Sequence, residues 1–369
     1  MVSKYDGPLR GGFAMTGRER IERVLHSQIP DRVPIFPNIH FGTARFGGYK
    51  IREFATDARI NAACLIGAYK EFGYDGVQIG CDVTFEAEAV GSKVDYPEDN
   101  IPSVVEPFLA EPRIEKLRMP DPRRDGRMPL FIESTKTVAK EVGDQAFIVS
   151  TVMGPVNCAG QIRGVENLLM DFYDRPDFVD ELFDFAVELE SVFGQALVEA
   201  GADCILIGEA LASPSMISPA FYRRFVRDKH KRLIQELRRR GAKNTILHIC
   251  GDIRKILGDC ALTGTNLIDI DWMVDISEAI EQEGIRNAKI TARGNLNPAG
   301  VLLSKNPQDV LNESRRLIEA NKTKGRFILS AGCNMSPASL PDNLRAMVQA
   351  AEIFGSYSGN ERGGSNVEH

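Results

Sequence analysis

Short β-branched runs alternate with helical patterns along nearly the whole chain, and this alternation limits the fold more than any other feature. The runs lie at Val33–Ile39, Gly76–Cys81, Ala146–Thr151, Asp203–Ile207, Asn244–His248, Leu267–Ile270, Ala288–Thr291 and Arg326–Leu329. Helical spacing of apolar residues fills Ile60–Phe72, Pro176–Ala200, Pro219–Arg240, Ile276–Glu283 and Pro307–Ala320. Pro219 and Pro307 follow Ser218 and Asn306. That order starts a helix: a side-chain cap, then a residue with no N–H to satisfy. Gly73, Gly201, Gly241, Gly284 and Gly325 stand where those helices should stop. Eight strands alternating with helices, no glycine-rich dinucleotide fingerprint and 369 residues predict a single (β/α)8 TIM barrel, ahead of a doubly wound open sheet.

Residues 1–14 read as a disordered lead-in, an extra N-terminal segment before the barrel. Residues 15–357 read as the barrel domain and 358–369 as a flexible tail rich in Gly, Ser and Asn. The stretch from Asp95 to Arg127, with several prolines and mixed charges, reads as a long irregular excursion between a strand and a helix.

Composition narrows the partners. The net charge is −6, and no basic stripe with interleaved aromatics is present, which argues against nucleic acid. The basic stretch Arg223–Arg240 alternates with apolar residues at helical spacing and reads as the wet face of a helix. No apolar run approaches the roughly 20 residues of a membrane span. The first residues lack the apolar core of a signal peptide, so a cytoplasmic location is expected. Seven scattered cysteines do not make a disulfide framework, and they suit a reducing compartment.

Barrel chemistry sits at the C-terminal ends of the strands. There the chain places His248-Ile249-Cys250-Gly251 and, far downstream, Gly332-Cys333-Asn334. One histidine and two thiolates leave a tetrahedral position open, the pattern of a catalytic zinc. The plain alternative is a core histidine beside two buried cysteines. Glu209 follows another strand and reads as a fourth ligand, as a partner orienting His248, or as a helix cap. Asp82 reads as catalytic or as a cap. Asn157, Asp271, Arg293 and Asn295 are pocket candidates, with Arg293 either binding an anionic group or making a surface ion pair. Trp272 reads as pocket wall or core, His40 as a packed and satisfied histidine, and Glu86 and Glu88 as facing water. His26 and His230 fall on helical patterns and receive no role.

Met15-Thr-Gly-Arg-Glu-Arg-Ile and Pro30-Asp-Arg-Val-Pro-Ile resemble the opening of the uroporphyrinogen decarboxylase superfamily. Leu247-His-Ile-Cys-Gly, Ala331-Gly-Cys, Pro337, Glu209-Ala-Leu-Ala-Ser-Pro and Gly294-Asn-Leu-Asn-Pro resemble its methylcobamide:coenzyme M methyltransferase branch. The resemblance runs from about Met15 to Phe354. It implies a TIM barrel carrying one zinc on His248, Cys250 and Cys333. It also implies a thiol acceptor and a methylcobalamin held by a separate corrinoid-binding protein. The reverse direction, from a methyl donor such as a methoxylated compound to the corrinoid, would use the same site. A uroporphyrinogen decarboxylase is the alternative, but of that family's N-terminal arginines the segment Pro37–Gly47 retains only Arg45. Glu209 stands where the methyltransferase branch commonly has Asp, so the acceptor pocket is expected to differ.

Overall fold

The structure, a computed structural model, describes residues 14–80 and 82–357. The lead-in and tail assignments therefore fall almost wholly outside the described residues. The described strands are β1 (Gly76–Ile79), β2 (Lys93–Asp95), β3 (Ser103–Glu106), β4 (Phe147–Met153), β5 (Cys204–Gly208), β6 (Asn244–His248), β7 (Leu267–Asp269), β8 (Thr291–Leu296) and β9 (Phe327–Ala331). Seven of them form one parallel sheet in the order β1-β4-β5-β6-β7-β8-β9, with helices in the crossovers. This curled sheet is a TIM-barrel-like α/β fold. β2 and β3 form a separate antiparallel pair at the start of the excursion that the sequence suggested was irregular, with β2 ending at Asp95 and β3 inside it.

The predicted first strand, Val33–Ile39, is not a regular strand. Pro34 and Pro37 remove two N–H donors, so no continuous ladder forms. The segment still fills the gap between the two ends of the sheet. Ile35 bridges Leu329 in parallel fashion, Phe36 N donates to Leu329 O (2.9 Å), and Asp75 N donates to Ile35 O (2.8 Å). The seventh predicted strand, Ala288–Thr291, is displaced: β8 begins at Thr291 and runs to Leu296. Arg293 and Asn295 thus lie within a strand rather than beyond its end. Arg293 and Gly294 had masked its strand pattern.

Helix boundaries follow local chemistry. The side chains of Ser218 and Asn306 accept from Phe221 N (3.2 Å) and Asp309 N (3.0 Å), as their positions before proline require. Helix Gly17–Leu25 opens on a capping box in which Thr16 and Glu19 satisfy each other's backbone N–H. Helix Arg227–Arg239 buries His230, Leu233, Ile234 and Leu237, at spacings of three and four, and turns its arginines to solvent. None of the described helices is long and apolar enough to cross a membrane.

Two apolar layers hold the barrel. The larger lies between the sheet and the outer helices. The smaller plugs the inside, with Phe147 and Val149 from β4, Cys204 and Leu206 from β5, Ile246, Leu267 and Ile328, closed below by Ile21 and Val24 of helix Gly17–Leu25. Side chains two apart on a strand share a face. The inward columns that start apolar at the bottom therefore continue upward into Thr151, Gly208, His248 and Asp269.

Candidate metal centre

Strand register brings the upper residues of these columns together. Met153 pairs with Gly208, Gly208 with His248, His248 with Asp269, and Asp269 with Arg293. Neighbouring parallel strands are about 4.8 Å apart, so side chains paired in this way meet on the same face. Arg293 donates from Nε and Nη2 to the two oxygens of Asp269 (2.7 and 2.6 Å). Asp269 Oδ2 in turn lies 2.9 Å from His248 Nδ1. That bond fixes the imidazole and aims Nε2 at the sulfurs of Cys250 and Cys333.

His248 Nε2, Cys250 Sγ and Cys333 Sγ form a compact triangle. The edges are 3.3 Å from Nε2 to Cys250, 3.8 Å from Nε2 to Cys333 and 3.8 Å between the sulfurs. A tetrahedral ion with bonds of about 2.3 Å to sulfur and about 2.0 Å to nitrogen spaces its ligands about 3.5–3.8 Å apart. The sulfur–sulfur edge matches that spacing, and the two nitrogen–sulfur edges lie on either side of it. The sulfur separation is far beyond a disulfide bond of about 2.05 Å, and both cysteines are free. These three residues are also the metal-capable group among the described residues. Gly332 lets the third ligand loop approach: a Cβ there would sit 2.4 Å from Trp272 N.

The electrostatics suit a cation. Burial pushes Asp269 up, but the Arg293 charge and the His248 hydrogen bond hold it at about 2, a permanent carboxylate. The hydrogen bond from the Cys250 thiol pulls Cys333 down to about 4, and His248 adds to this against the effect of burial. The same hydrogen bond between the two sulfurs, with burial, pushes Cys250 up. Burial opposes a charge on His248, yet Cys250 and Asp269 raise it well above the usual imidazole range.

The triangle lies in a cleft of about 540 Å³, counting its open mouth. His40, Gln78, Asp82, Asn157 and Glu209 also line it. His40 is buried with both nitrogens engaged, Nδ1 with Gly80 O (2.8 Å) and Nε2 with Gln78 Nε2 (3.0 Å). Burial lowers its pKa to about 4.

Several predicted residues have other employment. Glu209 is not among the metal-capable group and does not orient His248. It is fully buried and accepts from Asn157 N (2.7 Å), Val156 N (3.2 Å) and His230 Nε2 (2.8 Å). It is thus the cap of helix Pro155–Arg163, and a Cβ on Gly154 would come 2.1 Å from its Oε2. Asp82 holds the Arg127 guanidinium (2.8 and 3.1 Å) and accepts from Thr84 N (2.9 Å), a turn-capping role at the cleft wall. Asn157 ties loops together, donating to Gly208 O (3.1 Å) and accepting from Leu211 N (2.8 Å). Asp271 accepts from Gly251 N (2.9 Å), which pins the turn after Cys250. Asn295 donates to Asp271 O (3.1 Å) and Val274 O (2.6 Å). Arg293 is neither an anion site nor a surface pair: its side chain is fully buried, locked to Asp269 and stacked over Phe36. Trp272 is exposed rather than core.

The water-facing expectation for Glu86 and Glu88 is corrected. Glu86 is fully buried, accepts from Met153 N (2.9 Å), and is pushed by burial to about 8. Glu88 is half-buried against Arg127 (2.7 Å). His230, which received no role, supports Glu209. The sequence places Asp269 at a strand end without giving it a role and does not single out Gln78; counting inward positions to the level of His248 pairs Asp269 with that imidazole.

The uroporphyrinogen decarboxylase (URO-D) family model matches residues 16–354. The chain belongs to that family. It is 28% identical over 344 residues to the methylcobamide:CoM methyltransferase MtbA of Methanosarcina acetivorans, covering 92% of this chain and 98% of that protein. A uroporphyrinogen decarboxylase of Xylella fastidiosa is 21% identical over 358 residues, covering 92% of this chain and 99% of the other. Among solved structures, a methyltransferase from Methanosarcina mazei superposes with a TM-score of 0.84 at 24% identity, covering 92% of this chain and 99% of that chain. That likeness speaks to the fold. The relatives thus include both methyltransferases and a decarboxylase of the superfamily.

Proposed function

We propose that the chain is a zinc-dependent methyltransferase that moves a methyl group between a corrinoid, carried by a partner protein, and a small thiol such as coenzyme M. The observation that carries the reading is the His248–Cys250–Cys333 triangle, with tetrahedral spacing and a side open to the cleft. The relatives named for methylcobamide chemistry support it.

A free thiol has a pKa near 8.5 and is mostly protonated at neutral pH. A zinc ion held by the three residues would act as a Lewis acid that draws the proton off an incoming thiol. The chain's own residues prepare for this. Arg293 and Asp269 hold the imidazole in one tautomer, the two sulfurs supply negative charge, and Gly332 lets the β9 loop close on the β7 loop. In the overall transfer a sulfur–carbon bond forms and the cobalt–carbon bond breaks, with its electron pair left on cobalt. Val83, Met216, Trp272 and Met273 stand exposed on loops that follow β1, β5 and β7. They offer apolar contact around the mouth, where a corrinoid carried by a partner must approach.

The decarboxylase reading is weaker. A substrate bearing several carboxylates requires cations, and the described cleft lining contains no lysine or arginine.

The test is metal analysis of protein purified without oxygen and without a metal-binding tag, beside Cys333→Ala. The expected result is about one zinc per chain, lost in the variant, with thiol-dependent demethylation of methylcobalamin only in the zinc form. Well-folded protein that takes up no zinc under reducing conditions overturns the reading.

A further inference from the structure

Resting on the thiol-methyltransferase reading, we propose that Cys250 and Cys333 form a redox switch that reads the oxidation state of the acceptor: the small disulfide made from the acceptor thiol enters the same cleft, joins the two cysteines to each other and disables the metal centre.

The pair is placed for this. Its sulfurs stand 3.8 Å apart, and closing to a bond of about 2.05 Å asks each to move by only about 0.9 Å. Cys250 lies beyond the end of β6 at His248 and Cys333 beyond the end of β9 at Ala331, so neither is held in a strand ladder. Both are free and partly exposed, and both line the cleft. Cys64, Cys158, Cys204 and Cys260 are buried, and Cys81 lies outside the described residues. An accessible thiol with a second one beside it is the arrangement of a redox sensor.

The transfer reaction itself supplies the access. A thiol in the open position of a tetrahedral centre puts its sulfur about 3.8 Å from each cysteine sulfur. The disulfide of that thiol carries the same tail and the same sulfur. A cleft of about 540 Å³, counting its open mouth, is in the range that takes ligands well above the size of a two-carbon disulfide. A site that admits the reduced acceptor therefore presents the oxidised one to the same two sulfurs.

Exchange proceeds in two displacements. One cysteine thiolate bonds to a sulfur of the small disulfide, whose sulfur–sulfur bond breaks and releases one acceptor thiolate. The other cysteine then attacks the sulfur of the first. The mixed disulfide breaks and the second acceptor thiolate leaves. The two protein sulfurs lose two electrons, the small disulfide gains them, and any thiol protons pass to the departing thiolates. Of the three candidate ligands only His248 then remains. Excess reduced acceptor runs the exchange backward, so the ratio of reduced to oxidised acceptor sets the fraction of competent centres.

The test incubates reduced wild-type protein, with and without zinc, under anaerobic conditions with bis(2-hydroxyethyl) disulfide, the disulfide of 2-mercaptoethanesulfonate, or glutathione disulfide. The readouts are intact mass, peptide mapping, and zinc release to a chromophoric chelator. The expected result is loss of about 2 Da with no retained adduct, a Cys250–Cys333 link in the map, and loss of zinc that dithiothreitol reverses. The two small disulfides should act on the order of tenfold or more faster than the bulkier glutathione disulfide, because the rate depends on access. Cys250→Ser and Cys333→Ser should each stop at the mixed disulfide and retain the adduct; the wild-type map decides the matter even if a variant fails to fold. A stable adduct on wild-type protein, a link to any other cysteine, or no reaction overturns the switch. If the reduced protein still binds zinc and demethylates methylcobalamin with a thiol, the proposed function stands without it. Reduced protein that takes up no zinc overturns both.

Discussion

Replacing Asp269 by asparagine tests the register argument at its centre. Asp269 does two jobs: it neutralises the fully buried Arg293 and it holds Nδ1 of His248. Losing the first leaves a buried guanidinium facing a neutral amide, which costs about 3–5 kcal/mol. The titration gives a similar scale. Asp269 sits at about 2 when folded, against about 3.9 unfolded, a difference worth about 2–3 kcal/mol. The sign is that of a depressed carboxylate: the stability is present above about pH 4 and is lost as pH falls through about 2. Losing the second job should weaken zinc by about 10–100-fold. Urea unfolding of the metal-free protein at pH 7 reads the first effect, and competition with a chromophoric chelator reads the second. The double variant Asp269→Asn/Arg293→Met separates them. With both charges gone, stability should return to within about 2 kcal/mol of wild type, while zinc affinity stays low. If Asp269→Asn costs less than about 0.5 kcal/mol and leaves zinc affinity unchanged, the argument from register to metal site is wrong.

Gly154→Ala should destabilise by about 1–3 kcal/mol, since the added methyl meets the Glu209 carboxylate; a neutral effect in denaturant melts would show that Glu209 is not wedged there. Burial raises Glu86 to about 8, so its stabilising protonated form is fully present below about pH 4.5 and lost as pH rises through about 8. Stability should therefore slope downward across that window, by up to about 1.4 kcal/mol per pH unit for each group; because burial also raises Glu190 beside Glu86, replacing both by Gln should flatten the slope, and an unchanged slope in pH-dependent melts refutes it. With His248 and Cys250 both raised, zinc binding at pH 7 should release about two protons, measurable by titration in two buffers of different ionisation enthalpy, and release of none would refute the protonation scheme.

Much of this was legible in the sequence because local chemistry decided it. Pro219 and Pro307 behind Ser218 and Asn306 mark helix starts by a rule that needs no tertiary contact, and the caps form as the rule requires. The helix from Arg227 shows its buried face at the spacing read from the chain. What failed depended on neighbours. Val33–Ile39 has the composition of a strand, but a strand is a ladder, and two prolines withhold rungs from it. Glu86 looked like a surface carboxylate because sequence carries no measure of burial; only a proton makes its position tolerable.

Arg293 shows most clearly where a linear reading stops. Arg-Gly-Asn after a short apolar run looks like a loop that greets an anion. In the barrel the same three residues are the middle of β8, and the pleat decides their fates separately. Arg293 turns inward at the level of Asp269 and His248, so its charge is consumed inside the protein. An arginine that seemed to bind substrate instead sets two hydrogen-bond chains, one through Asp269 to the metal-facing imidazole and one through Gln78 to a neutral His40. At the cleft wall the guanidinium groups of Arg127 and Arg293 are likewise held by Asp82 and Asp269, and no arginine is among the described lining residues. The period of two along each strand thus does more than separate core from surface: along β6 it passes from the apolar plug at Ile246 to the candidate ligand His248, while Asp269 and Arg293, at the same level on β7 and β8, supply the hydrogen bonds that hold it above an apolar floor.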